Sequence, residues 1–181
     1  MNSEADRAVL ARTLRVDEIR DGASGEIAAT KAEMDAIARM LDLVALEGLT
    51  CVYRLDHGGG GRLHLTGRLH ANVTQTCVVS LDPVEANLDV PVEVEFWPVS
   101  LIDELKRSTE EPGNLGLLDW PEAVVDGRID LGPVIYETLA TALEPYPKRE
   151  GISFDWSQGP SEETGSAKSG PFAALAALKR R

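Results

Sequence analysis

The sixteen residues RLHLTGRLHANVTQTC, from Arg62 to Cys77, decide how this chain folds. Their odd positions read Leu63, Leu65, Gly67, Leu69, Ala71, Val73, Gln75 and Cys77. The even positions read Arg62, His64, Thr66, Arg68, His70, Asn72, Thr74 and Thr76. Successive side chains of a strand point to opposite faces, so this alternation predicts one long strand with an apolar and a polar face. The run is about three times the usual strand length, and such strands bend. Gly67 is the expected bulge or corner.

Working outward, Asp82-Pro83-Val84-Glu85 reads as a turn. It is followed by Leu88, Val90, Val92, Val94 and Phe96 alternating with Asp89, Pro91, Glu93 and Glu95. Pro91 has no amide to donate, which places it on an edge strand. Upstream, Leu49, Cys51, Tyr53 and Leu55 share one face of a third strand, and the four glycines after His57 make a turn. Thr30-Lys31-Ala32-Glu33 is a capping box. Behind it Met34, Ile37, Ala38, Leu41 and Ala45 form a helical stripe expected to run to about Leu46 and stop at Gly48. Weak alternation predicts a first strand within Arg12–Arg20, then a loop at Asp21–Gly25. Beyond Ser100 the pattern weakens: Leu101–Leu105 reads as a helical turn and Glu110–Asn114 as a breaker. Asp130 caps a second helix whose apolar face is Leu131, Val134, Ile135, Thr138, Leu139 and Ala142, ended by Pro145-Tyr146-Pro147. The expected fold is α+β, a curled antiparallel sheet or open barrel packed by one or two helices. Residues 1–156 form the domain, 157–170 a polar linker, and 171–181 a short helix-prone motif with Phe172, Leu175 and Leu178 in line. Such a tail docks either on its own domain or in another protein's groove.

Composition narrows the function classes. No apolar run approaches the roughly 18 residues a spanning helix needs, and the acidic start is no signal peptide, so a cytoplasmic protein is expected. Two cysteines argue against a disulfide framework. Of the net charge of −12, residues 82–137 carry −11, with 3 basic against 14 acidic side chains. Such a field repels phosphates and attracts basic proteins.

No catalytic or metal constellation is expected. The histidines and cysteines never fall at ligand spacing, and His64 and His70 stand about 20 Å apart on an extended strand. No nucleophile elbow or phosphate loop occurs. No cofactor is expected. Two surfaces remain. The strand face with Arg62, His64, Arg68, His70, Asn72 and Thr74, joined by Arg12, Arg15 and Arg20, is a candidate RNA contact. The segment holding Asp103, Glu104, Glu110, Glu111, Asp119 and Glu122 is a candidate site for a basic partner.

Residues Gly67–Glu85 (GRLHANVTQTCVVSLDPVE) resemble the signature hairpin of the YceD family, the large ribosomal RNA subunit accumulation proteins. Ile129-Asp130-Leu131-Gly132 and Pro145-Tyr146-Pro147 resemble its second signature, so the resemblance spans roughly residues 10–155. Pro171–Lys179 is similar to the tail of the alphaproteobacterial branch. The resemblance implies a non-enzymatic role in accumulation of 23S rRNA and assembly of the large ribosomal subunit, with rRNA or a ribosomal protein as partner and neither membrane nor DNA involved. Many members carry C-x-x-C where this chain has Cys77-Val-Val-Ser80, so no metal cluster carries over. The competing expectation is an adaptor unrelated to ribosomes that works through Phe172, Leu175 and Leu178. A hydrolase would need a concave site of convergent carboxylates.

Overall fold

A computed structural model of the chain describes residues 9–108 and 120–152. The expected hairpin is its centre. Strand β3 (Ala45–His57), β4 (Leu63–Thr76) and β5 (Pro83–Pro98) run antiparallel in sequence order. A short strand β2 (Ala23–Ala28) joins the β3 side, and β6 (Glu122–Val124) pairs parallel with the end of β5. The result is a five-stranded, mostly antiparallel open sheet in the order β2-β3-β4-β5-β6. A second small sheet pairs β1 (Thr13–Arg15) with β7 (Arg128–Asp130). With helices α1 (Lys31–Met40), α2 (Val99–Ser108) and α3 (Leu131–Ala142), the architecture is α+β, as the alternation predicts, and the barrel is not closed.

The core forms on one side of the sheet. Leu63, Leu65, Leu69, Ala71 and Val73 of β4 are all buried, packed with Leu49, Cys51 and Leu55 of β3 and Phe96 of β5. Ile37 of α1 and Leu131, Ile135 and Leu139 of α3 close over them. The even positions of β4 face outward, half-buried or exposed. The alternation therefore assigns both faces of β4.

Several expectations shift. Gly67 is no bulge, because the pairing runs unbroken through Tyr53–Gly67 and Gly67–Val92. Glycine is needed there for close approach: a Cβ would lie 2.6 Å from the Val52 carbonyl oxygen. The irregularity falls instead between Leu46 and Gly48, inside β3, so Gly48 ends no helix. Helix α1 stops at Met40, and Asp42 turns the chain with a φ of 53°. Residues Asp21–Gly25 are only partly loop, since β2 begins at Ala23. The expected strand at Arg12–Arg20 shrinks to Thr13–Arg15 before a helical turn at Val16–Glu18. Leu101–Leu105 belongs to a full helix, α2.

Both predicted caps form. Thr30 Oγ1 accepts from the Glu33 amide at 3.3 Å and the Thr30 amide donates to Glu33 Oε2 at 2.7 Å. Arg12 adds two hydrogen bonds to the same carboxylate, at 2.8 and 2.9 Å, and together with the Thr30 contacts they hold Glu33 down to about 2. Asp130 Oδ1 accepts from Gly132 at 3.0 Å and from the Arg12 amide at 2.8 Å. One carboxylate thus caps α3 and pins the incoming N-terminal segment to it. No helix among the described residues is long and apolar enough to cross a membrane.

Candidate functional site

Register decides what each polar side chain meets. On the open face of the sheet, opposite residues lie in rows: Glu26–Val52–Arg68–Pro91, Ser24–Arg54–Thr66–Glu93, Ala28–Thr50–His70–Asp89 and Asp56–His64–Glu95. Of the side chains proposed for RNA, Arg62, His64, Arg68 and His70 stand on this face, and each lies against an anion or a ring. Arg68 bonds Asp89 at 2.7 Å. His70 Nδ1 lies 3.5 Å from the same Asp89, and His64 Nε2 lies 3.5 Å from Glu93. Arg62 stacks over the Trp97 ring at 3.9 Å, and Trp97 donates to Glu95 at 2.7 Å. These are exposed pairs, individually worth about 0–1 kcal/mol, so they set the surface charge more than the stability. Arg12 and Arg15 do not join this face. Arg12 precedes β1 and bonds Glu33, Arg15 ends β1 and bonds Asp17 at 2.6 Å, and Arg20 is exposed in the connection to β2.

The acidic candidates divide. Asp103 and Glu104 are exposed on α2, and Glu122 begins β6. Glu110, Glu111 and Asp119 lie outside the described residues, as do Phe172, Leu175 and Leu178. The fold adds a carboxylate row the sequence reading did not single out as a site. Glu85, Asp89, Glu93 and Glu95 alternate along β5 and project from one face at the sheet's side. The signal was present as acid at every second or fourth position. Near the end of this row, His64, Glu93, Glu95, Trp120, Glu122 and Glu137 line an open cleft of about 450 Å³.

The turn between β4 and β5 is built around a thiol. Cys77 is buried, and its Sγ accepts from the amides of Ser80 at 3.4 Å and Arg149 at 3.5 Å. The Val78 amide donates to the Pro147 carbonyl at 2.9 Å, so the Pro145-Tyr146-Pro147 segment folds onto this turn. Bonds from Ser80, then from the Arg149 and Val79 amides, bring the Cys77 thiol down to about 6. Cys51 goes the other way, pushed up to about 11 by burial. The two are not neighbours. Cys51 pairs with Leu69, and the eight residues on to Cys77 span about 26 Å of strand.

A depressed thiol pKa has a definite pH signature. Above the unfolded-state pKa both states are thiolate and the stabilisation is complete; below about 6 both are protonated and it is absent. Between about 6 and the ordinary cysteine value near 8.5 the unfolded chain binds more protons, so stability rises with pH. Replacing Cys77 with alanine is expected to flatten that rise in urea melts across this window. An identical slope in the variant would show that the bonds do not favour the thiolate.

The matching family model is YceD, described as the large ribosomal RNA subunit accumulation protein, and it aligns with residues 65–179. That range takes in most of β4, the Cys77 turn, β5, α3 and most of the C-terminal motif, more than half of the chain. No curated protein and no solved structure matches. On that family match, over more than half of its length, the chain belongs to the YceD family.

Proposed function

We propose that this chain supports accumulation of 23S rRNA and assembly of the large ribosomal subunit in the bacterial cytoplasm, and that it does so without catalysis, by holding a basic ribosomal protein. Family membership supports the process. The choice of partner rests on one observation. On the open face His64 is matched by Glu93, Arg68 and His70 by Asp89, and Arg62 lies on the Trp97 ring, so that face offers little unpaired positive charge to a phosphate backbone. The carboxylates on β5 and α2 and the net charge of −12 favour a cationic protein.

Deleting the gene is expected to lower the large-subunit peak in sucrose gradients and to raise precursor 23S rRNA. The tagged full chain is expected to retain a basic ribosomal protein in a salt-sensitive manner. Arg62→Glu with Arg68→Glu should leave that retention intact. Normal subunits in the deletion strain would sink the ribosomal role and leave an adaptor working through Phe172, Leu175 and Leu178. Loss of binding in the double variant, with RNA as the retained species, would move the reading to direct rRNA contact.

A further inference from the structure

Strand β5 runs from Pro83 to Pro98, but β6 pairs only with Phe96–Pro98. From Pro83 to Glu95 its outer side has no strand partner among the described residues. Hydrogen-bonded and non-bonded pairs alternate in an antiparallel ladder. The Cys77 amide donates to the Asp82 carbonyl, which makes 77–82 a bonded pair and, with the register, also 75–84, 73–86 and onward to 63–96. The even residues of β5 therefore bond β4. The odd residues, Glu85, Asn87, Asp89, Pro91, Glu93 and Glu95, point their backbone groups outward. Both prolines in the free stretch, Pro83 and Pro91, fall on this outer set, so the inner ladder loses no donor.

The two faces beside that edge differ in chemistry. On the open face stand the exposed carboxylates Glu85, Asp89, Glu93 and Glu95. On the core face, Ala86, Leu88, Val90 and Val94 are only partly buried, although the residues opposite them on β4, Val73, Ala71, Leu69 and Leu65, are buried. The apolar layer thus runs beyond its cover. A groove of about 240 Å³ lies along this side, between Val94 and Val134, Thr138 and Thr141 of α3.

We propose that an extended segment of a basic partner protein adds to β5 as a sixth strand, with apolar and Lys or Arg side chains in alternation. Its backbone pairs with the outer groups of Glu85–Glu95. Its cations lie against the carboxylate row, and its apolar side chains continue the Leu88–Val90–Val94 layer. This inference rests on the reading of the partner as a basic protein and names where it docks. A second copy of the chain fits poorly, because edge-to-edge pairing would set one carboxylate row against another. Edge carboxylates and proline discourage self-association in this way. The opposite edge, β2, is only six residues long and buries only Ile27, so it offers no comparable layer.

The probe is a labelled synthetic decapeptide alternating Lys or Arg with Val, titrated into the full-length chain. A version N-methylated at alternate residues keeps the charge and side chains but loses the donors along one edge. The parent peptide is expected to slow amide exchange at Glu85, Asn87, Asp89 and Glu93. The N-methylated peptide, and the parent with Glu85→Lys/Glu93→Lys protein of unchanged circular dichroism, should each bind at least tenfold more weakly. Equal binding of the N-methylated peptide would reduce the effect to charge attraction and overturn the proposal. Protection on β2 instead, or amides of β5 already protected in the free chain by its own residues, would overturn it too. The ribosomal reading is tested separately. A strain carrying the double variant with normal subunits overturns the edge alone, while normal subunits in the full deletion overturn the function.

Discussion

Gly132→Ala is expected to cost about 3 kcal/mol of folding stability, read as a lower urea midpoint with an unchanged slope. Gly132 is buried in the first turn of α3, where a Cβ would overlap the carbonyl of Leu10. That obstacle cannot rotate away, because it is backbone. Leu10 is itself in the core, and the next residues are tied down on both sides: the Arg12 amide donates to Asp130, and the Leu131 amide donates to the Arg12 carbonyl at 3.1 Å. Relief requires lifting the N-terminal segment off α3, which would expose Leu10 and pull β1 from β7. Amide exchange should therefore accelerate first at Thr13–Arg15 and Arg128–Asp130. A cost under 1 kcal/mol, with β1 still protected, would mean that the segment does not lie over Gly132. If the variant does not accumulate, Asp130→Asn tests the same junction more gently, since the amide oxygen still accepts.

The same junction explains the stretch Ile129-Asp130-Leu131-Gly132 in physical terms. Ile129 is a core side chain, Asp130 caps α3 and receives Arg12, Leu131 is buried, and Gly132 leaves room for a crossing backbone. From sequence, Asp130 is legible as a cap because capping is local. The requirement at Gly132 is not legible, because it depends on a contact 122 positions away in the chain.

Other differences follow the same division between local and distant causes. The stripe of Met34, Ile37, Ala38 and Leu41 continues in sequence into Ala45 and Leu46, which belong to β3, where Leu46 joins the core while Ala45 pairs with Thr74 of the outward set. Helical and strand periodicities overlap across that boundary, and the left-handed φ of Asp42 is what separates them. Strand β2 is obscured by its composition, ASGEIA, with Ile27 its single buried residue; it is a strand because β3 offers a ladder. The polar face of β4 could be read from parity, but not which carboxylate meets which cation. That pairing comes from register with β5, and it moves the weight of the candidate site from Arg62, His64, Arg68 and His70 to the acids opposite them.

Phe96→Ala is expected to be the most damaging truncation in the core, costing about 3–5 kcal/mol, while Phe96→Leu should cost about 1–1.5. Phe96 is 1% exposed and lies where three elements meet: it stands opposite Leu63 on β4 and beside Glu122 on β6. Its ring also walls a hollow of about 250 Å³ between the two sheets, shared with Thr13, Ile129 and Pro133. Most truncations let neighbours relax inward and recover part of the lost contact. Here the space on one side is already open, so the alanine variant merges a new cavity with an existing one and little is recovered. The damage should spread unevenly, with β6 and the β1–β7 sheet losing exchange protection before the β3–β4 ladder, whose own core residues are untouched. Val52→Ala, on the half-exposed outer face, should shift stability by no more than about 0.5 kcal/mol. Equal costs at positions 52 and 96 would contradict the placement of the core on one side of the sheet, and with it the assignment of the other side to a partner.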